Sequence, residues 1–278
     1  MGPMDQHEIP FEGRRIRNPK LRRGIFLLPS LFTVANLLCG YYAVVACLFG
    51  GLDDFDRAAK AIGFAILFDS LDGRVARLTG TATEFGVQFD SLADVVSFGI
   101  APAFMAYAWG FRSLPDQTST GVMQIGEFGW VTCLFFLICC AWRLARFNVQ
   151  GMAPGGSKFF VGMPTPAAAG VLAAIVHGFK VPVHDKIWAI TWFMLPFCLG
   201  LLMTSTIRHY SFKDIPWTRK QPSLSVVLLC LLVAVIWRYS EVALILLACT
   251  YAAAGVTLHV VRLLRHRMVS RTADHGAS

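Results

Sequence analysis

Between residues 69 and 94 four aspartates stand in otherwise apolar stretches, in the order Asp69-x2-Asp72-Gly73-x2-Ala76-Arg77-x8-Gly86-x3-Asp90-x3-Asp94. An aspartate at mid-membrane depth costs about 2.5–3.5 kcal/mol on insertion scales, so four of them need something to compensate their charge. Divalent cations, and the phosphates such cations hold, are the natural partners. Carboxylate oxygens with nothing softer nearby favour Mg2+ or Mn2+ over zinc. Four carboxylates can hold two such ions roughly 3.5–4 Å apart, the arrangement that clamps attacking and leaving oxygens in phosphoryl displacement. Gly73 and Gly86 remove side chains where helix backbones or a bound nucleotide approach closely. Arg77, two helical turns beyond Asp69, is placed to pair with a diphosphate. The chemistry indicated is transfer from an activated lipid.

Two other readings compete. A single Asp–Arg pair within a membrane bundle is often no more than helix glue, but four aspartates, two glycines and an arginine in one register go beyond that. A proton- or cation-coupled carrier also buries acidic residues. Carriers tend to show internal repeats and broken helices, and no repeat is visible in this chain.

The elements that carry these residues follow from helical geometry. At about 100° per residue, positions 69, 72, 73, 76 and 77 share one stripe, and Gly86, Asp90 and Asp94 share another. The short turn at Thr79-Gly80-Thr81 makes the two helices antiparallel neighbours whose acidic faces meet, roughly three turns in from that turn. The surroundings are lipid. Hydrophobic residues make up 55% of the 278 residues and charged residues 15%, against about 25% charged in soluble domains, and the mean hydropathy is +0.56. The fold class expected is an all-α integral membrane protein of about eight transmembrane helices, near 29–49, 56–79, 85–110, 127–149, 164–180, 187–206, 223–237 and 241–264. The domain organisation is a basic interfacial segment over 1–28 that Pro29 turns into the bilayer, a six-span catalytic core over 29–206, a cytoplasmic loop with two additional spans over 207–264, and a basic tail over 265–278.

The net charge of +8 is explained by topology. Placing the Lys and Arg residues on alternate sides leaves only Arg57, Lys60, Arg112, Lys180, Lys186 and Arg238 opposite the N-terminus, beside the acids Asp53, Asp54 and Asp56. The positive-inside rule then puts both termini in the cytoplasm. The basic charge belongs to anionic headgroups, and no nucleic-acid partner is needed. The eight cysteines all fall in apolar segments without CxxC spacing, so neither zinc nor a disulfide framework is expected. The N-terminus has the form neither of a cleavable signal nor of a myristoylation site.

The Asp69–Asp94 segment resembles the signature of the CDP-alcohol phosphotransferase family at every fixed position. The resemblance implies that Asp69, Asp72, Asp90 and Asp94 bind two divalent cations, with Asp94 also the base that deprotonates the acceptor alcohol. It places Gly73 and Arg77 on the CDP moiety, with Gly86, and Thr83 where relatives set a small hydroxyl near the nucleotide. The run Pro29-Ser30-Leu31-Phe32-Thr33-Val34-Ala35-Asn36 is similar to the first span of the bacterial phosphatidylserine synthase branch, with Thr33 and Asn36 as nucleotide contacts. Leu92 to Ala103, Arg143-Leu144-Ala145-Arg146-Phe147-Asn148 and Pro164-Thr165-Pro166 look like the same branch. The similarity covers about residues 20–206, so the last two spans carry no usable motif.

That branch implies CDP-diacylglycerol and L-serine as substrates, an inner membrane of a bacterium as location, membrane lipids as surroundings and a homodimer as assembly. Serine brings a carboxylate and an ammonium, and its pocket needs a fixed cation near the metals. Arg143 and Arg146, with Asn148 beyond them and Ser97 on the third span, are the candidate serine contacts, because arginine suits bidentate carboxylate recognition. The same two arginines also suit lipid phosphates as positive-inside anchors. Other acceptors, such as glycerol 3-phosphate or inositol phosphate, would call for basic residues too.

Overall fold

The computed structural model describes residues 19–79, 83–112, 122–151, 162–179, 181, 186–205, 244–246 and 250, with backbone alone at 19–30, 77–79, 122–127, 150–151 and 186. Among the described residues every regular element is a helix. Helix α1 (Pro19–Phe49) and α2 (Leu52–Thr79) are joined at Gly50 and Gly51. Gly50 takes φ of +73°, the left-handed conformation that ends helices and that glycine adopts without a Cβ penalty. The third span is composite: α3 (Glu84–Asp94), a π-helical turn (Val95–Ile100) and α4 (Ala101–Gly110). Then follow α5 (Val122–Gly151), α6 (Thr165–Phe179) and α7 (Lys186–Thr204).

The six spans expected between residues 29 and 206 therefore each coincide with a helix or, for the third, a composite of helices. Helices α2 and α5 start a few residues earlier than expected, and α1 differs most. The chain does not turn at Pro29, since α1 is helical through it from Pro19. Apolar surroundings tolerate proline inside a spanning helix because nearby groups satisfy the backbone it frees. The expected pair at 223–237 and 241–264 lies outside the described residues, apart from 244–246 and 250. Leu31–Phe49, Glu84–Gly110, Phe128–Val149 and Ile187–Thr204 are long and apolar enough to cross a membrane, and Thr165–Phe179 is a shorter apolar helix. Helix α2 has the length, but Asp69 and Asp72 and the charges at its ends lower its hydropathy.

Small residues set the packing. Ala43, Ala46, Ala58, Ala61, Ala65, Ala101, Ala106, Ala168, Ala169 and Ala173 are all buried in one core, and short side chains let membrane helices approach closely. Helix α1 packs along α2, α5 along α7, and α2 against α6, while the composite third span touches α1, α5 and α6. The indole of Trp192 donates to the Ala106 carbonyl at 2.9 Å, tying α7 to α4. Thirteen residues before Asp69 along α2, hence about 20 Å away, Asp56 pairs with the buried His177 of α6 and, at 2.7 Å, with Lys60.

The π-helical turn has a covalent cause. Pro102 has no N–H, and in a regular helix its ring would collide with the carbonyl four residues earlier, at Phe98. A wider turn just before it relieves that crowding, and the Ala101 N–H reaches back five residues to the Val96 carbonyl. Neighbouring helices close tightly on this turn. A Cβ on Gly40 of α1 would lie 2.7 Å from the Cα of Ser97, and one on Gly99 would lie 2.8 Å from Cδ1 of Leu137 on α5.

Candidate active site

Helix α2 packs against α4 and the π-helical turn of the third span, and the acidic stripes of α2 and α3 come together beside that contact. Asp69, Asp90 and Asp94 each offer a carboxylate oxygen, and these oxygens lie within 4.8 Å of one another. Asp94 is buried, and Asp69 and Asp90 are half-buried. Oδ1 of Asp90 is buried with no hydrogen-bond partner among the described residues. Like charges gathered with an orphaned acceptor among them are costly unless a cation joins them. The donor set is oxygen only, so the residues present fit a hard divalent ion.

Asp72, one turn from Asp69, is buried but is not among those three, and its Oδ2 accepts a hydrogen bond from Thr33 Oγ1 of α1. Asp94 Oδ1 accepts from Asn36 Nδ2 at 3.0 Å. The backbone carbonyl of Asn36 in turn accepts from Ser97 Oγ at 2.8 Å. Helix α1 thus reaches two of the four expected carboxylates. Thr33 and Asn36, which the resemblance assigns to the nucleotide, are both buried and turned toward those acids.

The other sequence-derived residues sort by position. Thr83 is the N-cap of α3, with its Oγ1 accepting from the Gly86 N–H at 3.0 Å. Such a cap satisfies a donor that the helix itself leaves open. Gly73 is half-buried next to Asp72, and the side chain of Arg77 lies outside the described residues. Arg143, half-buried on α5, donates from Nη1 to Thr165 Oγ1 at 3.4 Å and stands within electrostatic reach of Asp94. Arg146 follows one turn later, also half-buried. Asn148 donates to Ser91 Oγ at 2.9 Å, linking the end of α5 to the residue after Asp90. Ser97 and Asn148 are both engaged in contacts between helices.

Ser91, which sequence reasoning did not single out, and Thr165, noted only within the Pro164-Thr165-Pro166 motif, are polar neighbours of the site. Each is a hydroxyl in a mostly apolar helix, a signal too common to choose a partner by. What the assembled residues can do is hold divalent cations between α2 and α3, with a guanidinium on α5 facing them and lipid around the bundle.

A family model described as CDP-alcohol phosphatidyltransferase matches residues 26–205. Relatives that carry the name CDP-diacylglycerol–serine O-phosphatidyltransferase include the following three. That of Helicobacter pylori strain ATCC 700392 / 26695 is 34% identical over 202 residues, covering 70% of this chain and 77% of the relative. That of Mycobacterium bovis is 32% identical over 244 residues, covering 84% of this chain and 79% of the relative. The protein from the archaeal Methanocaldococcus jannaschii is 33% identical over 192 residues, covering 69% and 78%. All four paired aspartates and Arg143 fall within the matched segment.

Proposed function

The chain belongs to the CDP-alcohol phosphatidyltransferase family, and on that premise we propose that it transfers the phosphatidyl group of CDP-diacylglycerol to L-serine, giving phosphatidylserine and CMP. The acceptor is supported by the printed names of the relatives. The structural observation that carries the proposal is the meeting of Asp69 of α2 with Asp90 and Asp94 of α3.

Asp69, Asp72, Asp90 and Asp94 would together hold two divalent cations, Mg2+ or Mn2+. Bound there, such ions neutralise the diphosphate and stabilise the leaving CMP oxygen. Asp94 takes the proton of the serine hydroxyl as that oxygen attacks the phosphorus bearing the diacylglycerol. The bond from phosphorus to the CMP oxygen breaks, and the electron pair leaves with CMP. Gly73, Arg77, Thr83 and Gly86 lie on the nucleotide side. Arg143 and Arg146 grip the serine carboxylate, and Ser97 and Asn148 hold the walls of that pocket. In this proposal the protein has eight spans, is a homodimer and sits in a bacterial inner membrane with both termini in the cytoplasm, as the distribution of Lys and Arg favours.

The test is an acceptor panel. Purified protein receives CDP-diacylglycerol with a divalent salt and, separately, serine, glycerol 3-phosphate, inositol, inositol phosphate or choline, and CMP release is followed. Serine is expected to give product. Release with another alcohol and none with serine would overturn the acceptor, and no release with any alcohol would return the carrier to consideration.

A further inference from the structure

Thr33 and Asn36 stand three residues apart on α1, so their side chains project from nearly the same face. Each meets a different acidic helix: Thr33 donates to Asp72 of α2 and Asn36 to Asp94 at the end of α3. They are 3% and 0% exposed, so neither offers a free surface. An ionised carboxylate only accepts hydrogen bonds, which fixes the Asn36 amide with nitrogen toward Asp94. Its Oδ1 then faces away and is buried without a hydrogen-bond partner among the described residues. Asn36 is itself anchored, because Ser97 Oγ holds its backbone carbonyl. Gly40, one turn along α1, lets the backbone at Ser97 come that near.

We infer that Thr33 and Asn36 are positioning residues of the acidic site. Helix α1 supplies no cation ligand, yet it sets the rotamer and distance of one carboxylate on each of the two ligand-bearing helices. Like-charged carboxylates repel, and without a bond to each side they would splay toward whatever donor they could find. A hydroxyl and an amide donor hold them while leaving the other carboxylate oxygen of each for the ion. Bonds of this kind behind metal ligands typically contribute 10–100-fold in metal affinity. The inference rests on the acidic cluster being a cation site, as proposed above. It assigns to the first span a role in metal affinity and not in gripping nucleotide.

The experiment is Mn2+ binding to the purified full-length protein in detergent, without nucleotide or lipid substrate, read from the paramagnetic resonance of free Mn2+. Thr33→Val and Asn36→Leu are each expected to weaken binding by about 10- to 100-fold, and Thr33→Ser, which keeps the hydroxyl, to bind within about threefold of the wild type. Thr33→Val matches threonine closely in volume, so the comparison with Thr33→Ser separates the hydroxyl from the packing. Thermal melts run in parallel, since a merely structural role would lower the melting temperature of the Val variant without changing Mn2+ affinity. Unchanged Mn2+ binding in both variants, with CDP binding alone weakened, would overturn the inference and return the pair to the nucleotide. Failure of the wild type itself to bind Mn2+ is a different result: it removes the cation reading, and this inference with it.

Discussion

Asp94 is the last residue of α3, buried, bonded to Asn36 and within electrostatic reach of Arg143. The proposed function gives that side chain two roles, metal ligand and proton acceptor, so its variants are expected to differ from those of the arginines. Asp94→Asn is expected to lower kcat by roughly 10²–10⁴-fold even at saturating serine, the usual contribution of a general base. Arg143→Lys keeps the charge but loses the planar fork. Its expected effect is a rise of about tenfold or more in the KM for serine, since a lost hydrogen bond to a charged group costs on the order of 1.5–3 kcal/mol, with little change for CDP-diacylglycerol. Steady-state kinetics with each substrate varied in turn checks both. An unchanged serine KM with a raised CDP-diacylglycerol KM would move Arg143 to the liponucleotide. At this scale the aspartates were legible because their spacing has one helical solution. The partners of Thr33, Asn36 and Asn148 were not, because a hydroxyl or amide in a helix bonds whatever the packing brings opposite it.

Among the elements, the composite third span departs most from what the periodicity implies. An apolar run from 85 to 110 reads as one continuous helix, and no hydrophobic pattern marks the change to a π-helical turn. The signal was Pro102, whose consequence for the carbonyl of Phe98 is local stereochemistry and not pattern. This turn sits between Asp94 and the buried α4, and Gly40 is where α1 meets it. Gly40→Ala would push a methyl group against the Ser97 backbone, a contact of 2.7 Å, and overpacking of this kind costs about 1–3 kcal/mol. A lower melting temperature and slower phosphatidylserine formation are expected, although no catalytic group is touched. Gly63→Ala on α2 is the control, because nothing lies within 4 Å of the added carbon and alanine favours a helix by about 0.8–1 kcal/mol over glycine. Equal melting temperatures for the two variants would mean that Gly40 does not set the approach of α1.

For the whole molecule, the six spans between residues 29 and 206 were expected from apolar segments, α2 among them although its charges lower its hydropathy. Hydropathy alone passes over it. The pairing of Asp56 with His177 joins α2 to α6 at the end remote from the site, and one histidine in an alanine-rich helix did not announce it. The proposed sidedness of the bundle rests on the distribution of Lys and Arg and can be checked in intact cells. Asp53→Cys, in the first turn of α2 after the α1–α2 connection, is expected to react with a membrane-impermeant maleimide. Glu84→Cys, at the start of α3, should react only after lysis, each judged against labelling of the unsubstituted protein. The reverse pattern would invert the topology and place the acidic site on the wrong side for a cytoplasmic nucleotide.

The proposed function has the carboxylates of α2 and α3 carry phosphatidyl transfer to serine. Protein reconstituted in vesicles containing CDP-diacylglycerol, supplied with labelled serine and Mg2+ or Mn2+, tests it directly through the labelled phosphatidylserine formed. The wild type should make that lipid only when the divalent ion is present. Asp90→Asn, which removes one ligand charge with almost no change in volume, should insert and melt like the wild type and make essentially none. Wild-type amounts of phosphatidylserine from Asp90→Asn at low metal concentration would remove these carboxylates from the reaction.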